Sequence, residues 1–352
     1  MKFPSTSFLR SSISRWAAKI TLAAGIVTGP TGHANGLRGW HPEFNLQLTP
    51  LGTYATGIIA ADPSSAEIPA YDPLTRRLFV VNGAEKQVDV LDIRDPQNPV
   101  KVFSIDVSRH GAPNSVAVKS GVVAIAIENG ANKQANGWVG LYSVGGHFLN
   151  RLEAGALPDM LTFSPDGKWI LVANEGEPSA DYLDDPEGSI TAIPVLANAH
   201  YPFWVAMLHA TKIKQRQVKQ LNFRQFNSQP IDPAIRIFGP NATVAQDLEP
   251  EYIAVSPDSK TAMVTLQENN ALAVLDLKKM EVTKLVPLGF KDHSLVKTET
   301  SIHEFGPMPS IGSTAPTPAY PNGQELFLGG FSGLWFEGVD PATGEYQFIT
   351  HT

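Results

Sequence analysis

Short apolar runs broken by turn residues fill this chain, and four of them are versions of one another: AEIPAYDPLTRRLFVVN from Ala66, PNSVAVKSGVVAIAIEN from Pro113, PDMLTFSPDGKWILVAN from Pro158 and PEYIAVSPDSKTAMVTLQEN from Pro250. Aligning Glu67, Asn114, Asp159 and Glu251 gives intervals of 47, 45 and 92 residues. The unit is therefore about 45 residues, doubled once by an insertion, which is the period of a β-propeller blade built from several short strands. In the third copy, Met160–Ser164, the turn Pro165-Asp166-Gly167-Lys168 and Trp169–Ala173 predict a β-hairpin. Ser189–Val195 and Val218–Phe226 predict a third and a fourth strand. The first copy predicts strands at Ile68–Tyr71, Leu78–Val81 and Val88–Ile93, and the fourth adds Ala271–Leu277.

The second strands, Leu78–Val81 and Ile170–Ala173, are apolar without alternation, so both of their faces are expected to be covered by neighbouring blades. The fold class expected is all-β, a propeller of WD40/YVTN-like four-stranded blades, with four blades and one partial blade. Between Ala199 and Arg224 the character changes to Trp204, His209 and the cations Lys212, Lys214, Arg216 and Lys219. A solvated loop or short helix lengthening the third blade is expected there, a basic anion-binding patch being the alternative.

Chain tracing separates the loops into two rims. In a propeller blade, the loop before the first strand and the loop after the second share one face. On this chain those loops carry Glu67, Asn114, Asp159, Asp247, Glu249 and Glu251, and Asn82, Glu128, Asn129, Asn174, Glu175, Glu177, Gln267, Glu268 and Asn269. The opposite rim has ordinary hairpin turns of mixed charge.

Composition sharpens this asymmetry. Residues 1–34 carry Lys2, Arg10, Arg15 and Lys19 and no acid, then an apolar run from Ile20 to Val27 and the small-residue segment Gly32-His33-Ala34, which predict a secretory signal peptide. The apolar run is too short to span a bilayer, and no integral span is expected after its removal. Without that segment the net charge moves from −7 to −11. Such a surface repels nucleic acid and anionic membranes and favours cations. Cysteine is absent, so a metal would be held by oxygen or histidine. The oxygen-rich rim suits a hard cation such as Ca²⁺, with Glu67, Asp159, Glu175, Glu177, Glu251 and Glu268 as candidate ligands. Asn114, Asn174, Asn269 and His293 are candidate substrate-binding groups. The densest acidic stretch, Asn174 to Glu187, lacks EF-hand spacing.

Several phrases go beyond generic propeller sequence: Glu67-Ile68-Pro69-Ala70-Tyr71-Asp72, Val172-Ala173-Asn174-Glu175-Gly176-Glu177-Pro178, Asp185-Pro186-Glu187-Gly188-Ser189, Val244 to Tyr252 and Gly289 to Ser294. Over residues 47–295 the chain resembles the exported bacterial propeller family called choice-of-anchor I, whose members are often labelled alkaline phosphatase. Residues 296–325 form a Pro-rich linker. Residues 326–352 resemble instead the opening of a phytase-like propeller with esterase-like activity, and match only its first hairpin. The expectation is a truncated or internally deleted chain, the alternative being ring closure by Leu46–Thr56.

The resemblance implies a secreted, periplasmic or cell-surface protein and a Ca²⁺-dependent phosphoesterase acting on small phosphate esters. The residues themselves identify no catalyst. There is no serine nucleophile elbow, and His110, His293, Lys133 and Lys291 are the nearest groups that could meet a phosphate. The alternative is a non-catalytic binding or scaffold propeller that presents its acidic rim to calcium, a cell-surface polymer or a protein.

Overall fold

A computed structural model describes residues 51–56, 66–198 and 201–289, together with the backbone of four further strands between Ser310 and His351. The chain divides into two units, Met1–Leu46 and Gln47–Thr352. The expected signal peptide, most of the linker, Lys291 and His293 lie outside the described residues.

Four antiparallel sheets of four strands succeed one another in chain order. Blade 1 comprises β1 (Pro69–Asp72), β2 (Arg77–Asn82), β3 (Gln87–Asp92) and β4 (Val100–Asp106). Blade 2 comprises β5 (Pro113–Lys119), β6 (Val122–Ile127), β7 (Asn136–Ser143) and β8 (Phe148–Ala156). In blade 3, β9 (Pro158–Phe163), β10 (Trp169–Asn174) and β11 (Ser189–Pro194) are followed by β12 (Lys219–Asn222), and blade 4 is β13 (Pro250–Val255), β14 (Thr261–Leu266), β15 (Ala271–Asp276) and β16 (Glu281–Pro287). Each blade is a meander, the first strand pairing with the second, the second with the third and the third with the fourth. The expected hairpins form where the turn chemistry placed them. In blade 3, the Ser164 N–H pairs with the Trp169 carbonyl at 2.9 Å, and Gly167 closes the turn at φ +66°.

Successive blades pack face to face, the first strands β1, β5, β9 and β13 lying beside one another in order. Phe79, Val81, Val88 and Val90 of blade 1 meet Val116, Val123, Ile125 and Ile127 of blade 2. Ala124, Val139 and Leu141 of blade 2 meet Leu161, Ile170, Val172 and Ile193 of blade 3. Leu171, Ile190 and Ala192 of blade 3 meet Ile253, Val264, Ala273 and Leu275 of blade 4. Strands β6 and β10 are consequently buried along both faces by neighbouring blades, as their unbroken apolar sequence requires. Strand β2 has blade 2 on its Phe79 and Val81 face only, its Leu78 and Val80 being covered by Tyr54, Ala66 and Ile93. Strand β14 differs, alternating buried with open positions.

The insertion after β11 forms a helix, α1 (Phe203–Ala210), before β12. Ala206 and Ala210 bury against blades 2 and 3, while Lys212, Lys214, Arg216 and Lys219 stay exposed. The loop-or-helix expectation is met there, and the fourth strand is shorter than Val218–Phe226 because Phe223 and Phe226 turn into the blade 3–4 core within a 3-10 turn. Residues 51–56 form no strand; Tyr54 packs beside Tyr71, Leu78 and Val80 on the outer face of blade 1. Among the described residues no helix is long and apolar enough to cross a membrane.

Candidate functional site

Tight inter-loop contacts draw the acidic loops of blades 2, 3 and 4 together. Gly176 adopts φ +71°, and a Cβ there would lie 2.8 Å from backbone atoms of Glu187 and Gly188. Gly188 in turn passes so close to the next blade that a Cβ would sit 1.9 Å from the Leu248 carbonyl oxygen. Its own N–H donates to the Ala245 carbonyl at 3.1 Å, and Gln246 Nε2 donates to the Asp185 carbonyl at 2.8 Å. Helix α2 (Val244–Asp247), capped by Thr243, carries this loop into β13. On the other side, Lys133 from the blade 2 loop forms an ion pair with Glu177, and Gln134 Nε2 reaches the Glu177 carbonyl. Glycine at positions 176 and 188 is what allows the blade 3 loop to fold back on itself and pass this close to the blade 4 loop.

Each of the six carboxylates expected as ligands acts electrostatically on at least one other: Glu67 on Asp159, Asp159, Glu177 and Glu251 on Glu175, and Glu268 on Glu251. Asp159, second residue of β9, has its carboxyl pushed up to about 6, chiefly by burial and then by the charge of Glu67, with Lys133 opposing. Glu175, whose N–H donates to the Leu157 carbonyl at 2.9 Å, is pushed up to about 8 by burial and by Asp159, Glu177, Glu251 and Glu249. Burial, then a hydrogen bond with Glu268 and the charge of that neighbour, raise the Glu251 carboxyl to about 8. Glu268 Oε2 is buried with no hydrogen-bond donor among the described residues. Each shift has the same origin: low-dielectric surroundings and like charges disfavour the ionised form.

Glu249 belongs to the cluster as firmly as the six. It is buried and its carboxyl is pushed up to about 7, first by desolvation and then by Glu268 and Glu177. Its position two residues before Glu251, across Pro250, was the available signal, since a strand entering after a proline leaves both acids on the same loop end.

The amides behave differently from one another. Asn114 Nδ2 donates to the Pro158 carbonyl at 3.1 Å, tying blade 2 to blade 3. Asn269 is fully buried, donating to the Asp247 and Arg236 carbonyls and accepting from the Glu249 N–H at 3.2 Å, so it positions the acidic loop. Asn174 is also fully buried. Its Nδ2 donates to Thr191 Oγ1 at 2.9 Å, while its Oδ1 has no donor among the described residues. His110 lies against Trp138 and Arg151, and burial together with that guanidinium lowers its basicity.

The donors are all oxygens, which is the chemistry of a hard cation. Among the described residues, however, no group of three or more His, Asp or Glu side chains stands in a ready-made metal-binding arrangement.

Four-stranded meander blades packed in sequence, with the loops of one rim converging, define a β-propeller with an acidic mouth. The chain belongs to the choice-of-anchor I domain family, which it matches over residues 67–304. No curated protein sequence matches it. Among solved structures it is similar to hydrazine synthase of Kuenenia stuttgartiensis, at 16% identity and a TM-score of 0.41, over 66% of this chain and 52% of that one. It is also similar to a protein from Lactobacillus plantarum, at 15% identity and a TM-score of 0.42, over 63% of this chain and 57% of that one. A third is the Cps50 (Swd1) β-propeller domain of Myceliophteria thermophila, at 10% identity and a TM-score of 0.39, over 61% and 57% of the two chains. The chain thus covers little more than half the length of each of these structures.

Proposed function

We propose that this chain is an exported binding propeller whose acidic mouth captures a hard divalent cation, with calcium the ion its donors suit best. The observation that carries the reading is the crowding of Asp159, Glu175, Glu249, Glu251 and Glu268 into one partly buried cluster that has no matching set of cations among the described residues. A cation entering there relieves like-charge repulsion, and the buried Oε2 of Glu268, without a hydrogen-bond partner among the described residues, is an acceptor open to it. Asp159, Glu175, Glu251 and Glu268 would hold it, with Glu67 and Glu177 flanking. Since no trio is arranged in advance among the described residues, binding is coupled to a movement of these side chains. Export is supported by membership of the choice-of-anchor I family and by the basic, then apolar, N-terminal sequence.

Binding is favoured over phosphate-ester hydrolysis on the same rim. Lys133 is paired with Glu177 and His110 is packed against Arg151 and Trp138, so neither is aimed as a phosphate cradle. Calorimetric titration with CaCl2 tests the reading: saturable binding that Glu175→Gln with Glu251→Gln abolishes supports it, and absence of binding heat at millimolar ion rejects it. Hydrolysis of a chromogenic phosphate monoester that depends on calcium and on Glu175 would reinstate the phosphoesterase.

A further inference from the structure

One face of blade 4 is built like an interior surface and is left open. The register places Ala254, Met263, Val274 and Lys284 in one row across the sheet, and Thr265, Leu272 and Val286 in the next, with Tyr252 donating its N–H to Thr265 Oγ1. Tyr252 is 57% exposed and Met263 46%. Large apolar side chains so exposed on a sheet face signal a missing neighbour.

The repeat identifies what kind of neighbour. Tyr252, Met263 and Thr265 occupy the repeat positions of Met160, Leu171 and Ala173 in blade 3, where Leu171 and Ala173 are fully buried by blade 4. Val274 and Leu272 pair across from Met263 and Thr265 just as Ala192 and Ile190 pair across from Leu171 and Ala173. The corresponding rows of blades 1 and 2 are covered by blades 2 and 3. Each blade therefore offers this face to the segment that follows it in the chain, and on blade 4 that segment comes after Pro287.

We propose that the strands of the C-terminal segment, β17 (Ser310–Ser313), β18 (Glu325–Phe327), β19 (Gly333–Val339) and β20 (Tyr346–His351), dock as a further blade on the open face of blade 4. Their number equals that of a blade, and they pair antiparallel as two hairpins, β17 with β18 and β19 with β20. The sequence of the second hairpin carries Leu334, Trp335 and Phe336 in succession on one strand and Phe348 and Ile349 on the other, so both alternating sets of positions are apolar. A two-stranded hairpin of that pattern is unstable without a sheet to pack against. It is the complement of an uncovered apolar sheet face.

A photoreactive benzoylphenylalanine placed at Met263 of the full chain reads the occupant directly. A second chain carries the probe at Tyr252, and both sites are open enough to accept it without loss of the fold. On irradiation, intramolecular cross-links to peptides within 310–351, in a chain that sediments as a monomer, are expected from both positions. Cross-links to blade 4 of a second copy, with the mass of a dimer, would overturn the proposal in favour of self-association. Reaction with solvent alone from both probes would overturn it as well.

Discussion

Lys133 of blade 2 and Glu177 of blade 3 are joined by an ion pair that crosses between blades at the edge of the carboxylate cluster. The same ammonium group acts on Asp159 and is itself raised above its usual range, first by Glu177. A lysine in this position competes with any added cation for the same negative field. Lys133→Ala should therefore raise calcium affinity by about two- to fivefold, the range for a half-exposed pair, as measured by calorimetry at low ionic strength. A fall in affinity would mean that Lys133 organises the loop more than it opposes the ion.

Stability without divalent ions should fall as pH rises. Glu175 and Glu249 have folded-state values of about 8 and about 7 against a reference of 4.5. A carboxyl raised on folding contributes stability that is fully present below its unfolded value and is lost as pH rises through its folded value. The window is therefore between about 4.5 and 8. Thermal unfolding in chelator should show the midpoint dropping across that range, and millimolar calcium should recover much of the loss at the alkaline end.

Glu175→Gln replaces the acid with an uncharged group of the same shape. At pH 9 without calcium this should stabilise the fold by about 1 kcal/mol, after allowance for partial solvent screening. At pH 4.5 it should be nearly neutral. Denaturant titrations at the two pH values check the contrast, and equal effects at both would disconnect Glu175 from the pH dependence.

Gly188→Ala should separate the two acidic loops. Its added Cβ meets the Leu248 carbonyl oxygen at 1.9 Å, and backbone on both sides must give way. A destabilisation of about 2 kcal/mol or more is expected, with calcium binding weakened in whatever remains folded. Chemical denaturation and calorimetry on the same variant measure both effects.

Much of this architecture was written in local chemistry. The Pro-Asp-Gly-Lys and Pro-Asp-Ser-Lys turns fix the hairpins of blades 3 and 4, and the 45-residue spacing puts Asp159 and Glu251 at the same repeat position. Which acids share a rim follows from that register alone. How they interact does not. Asn174 ends β10, whereas β14 ends at Leu266 and Asn269 follows three residues later. That offset turns Asn269 onto Asp247 and leaves Glu268 against Glu251. The open face of blade 4 was equally hidden, because Ala262-Met263-Val264 reads as an apolar run whether or not a neighbour covers it.

The central claim is that the mouth takes up a cation through carboxyls that hold protons near neutral pH. Calcium binding must then displace those protons. Titrating the protein with CaCl2 at pH 7 in buffers of different ionisation enthalpy counts them. Release of about one proton or more per ion bound, lost in the Glu175→Gln, Glu251→Gln double variant, is the result predicted. Binding with no proton release, or no binding, would contradict it.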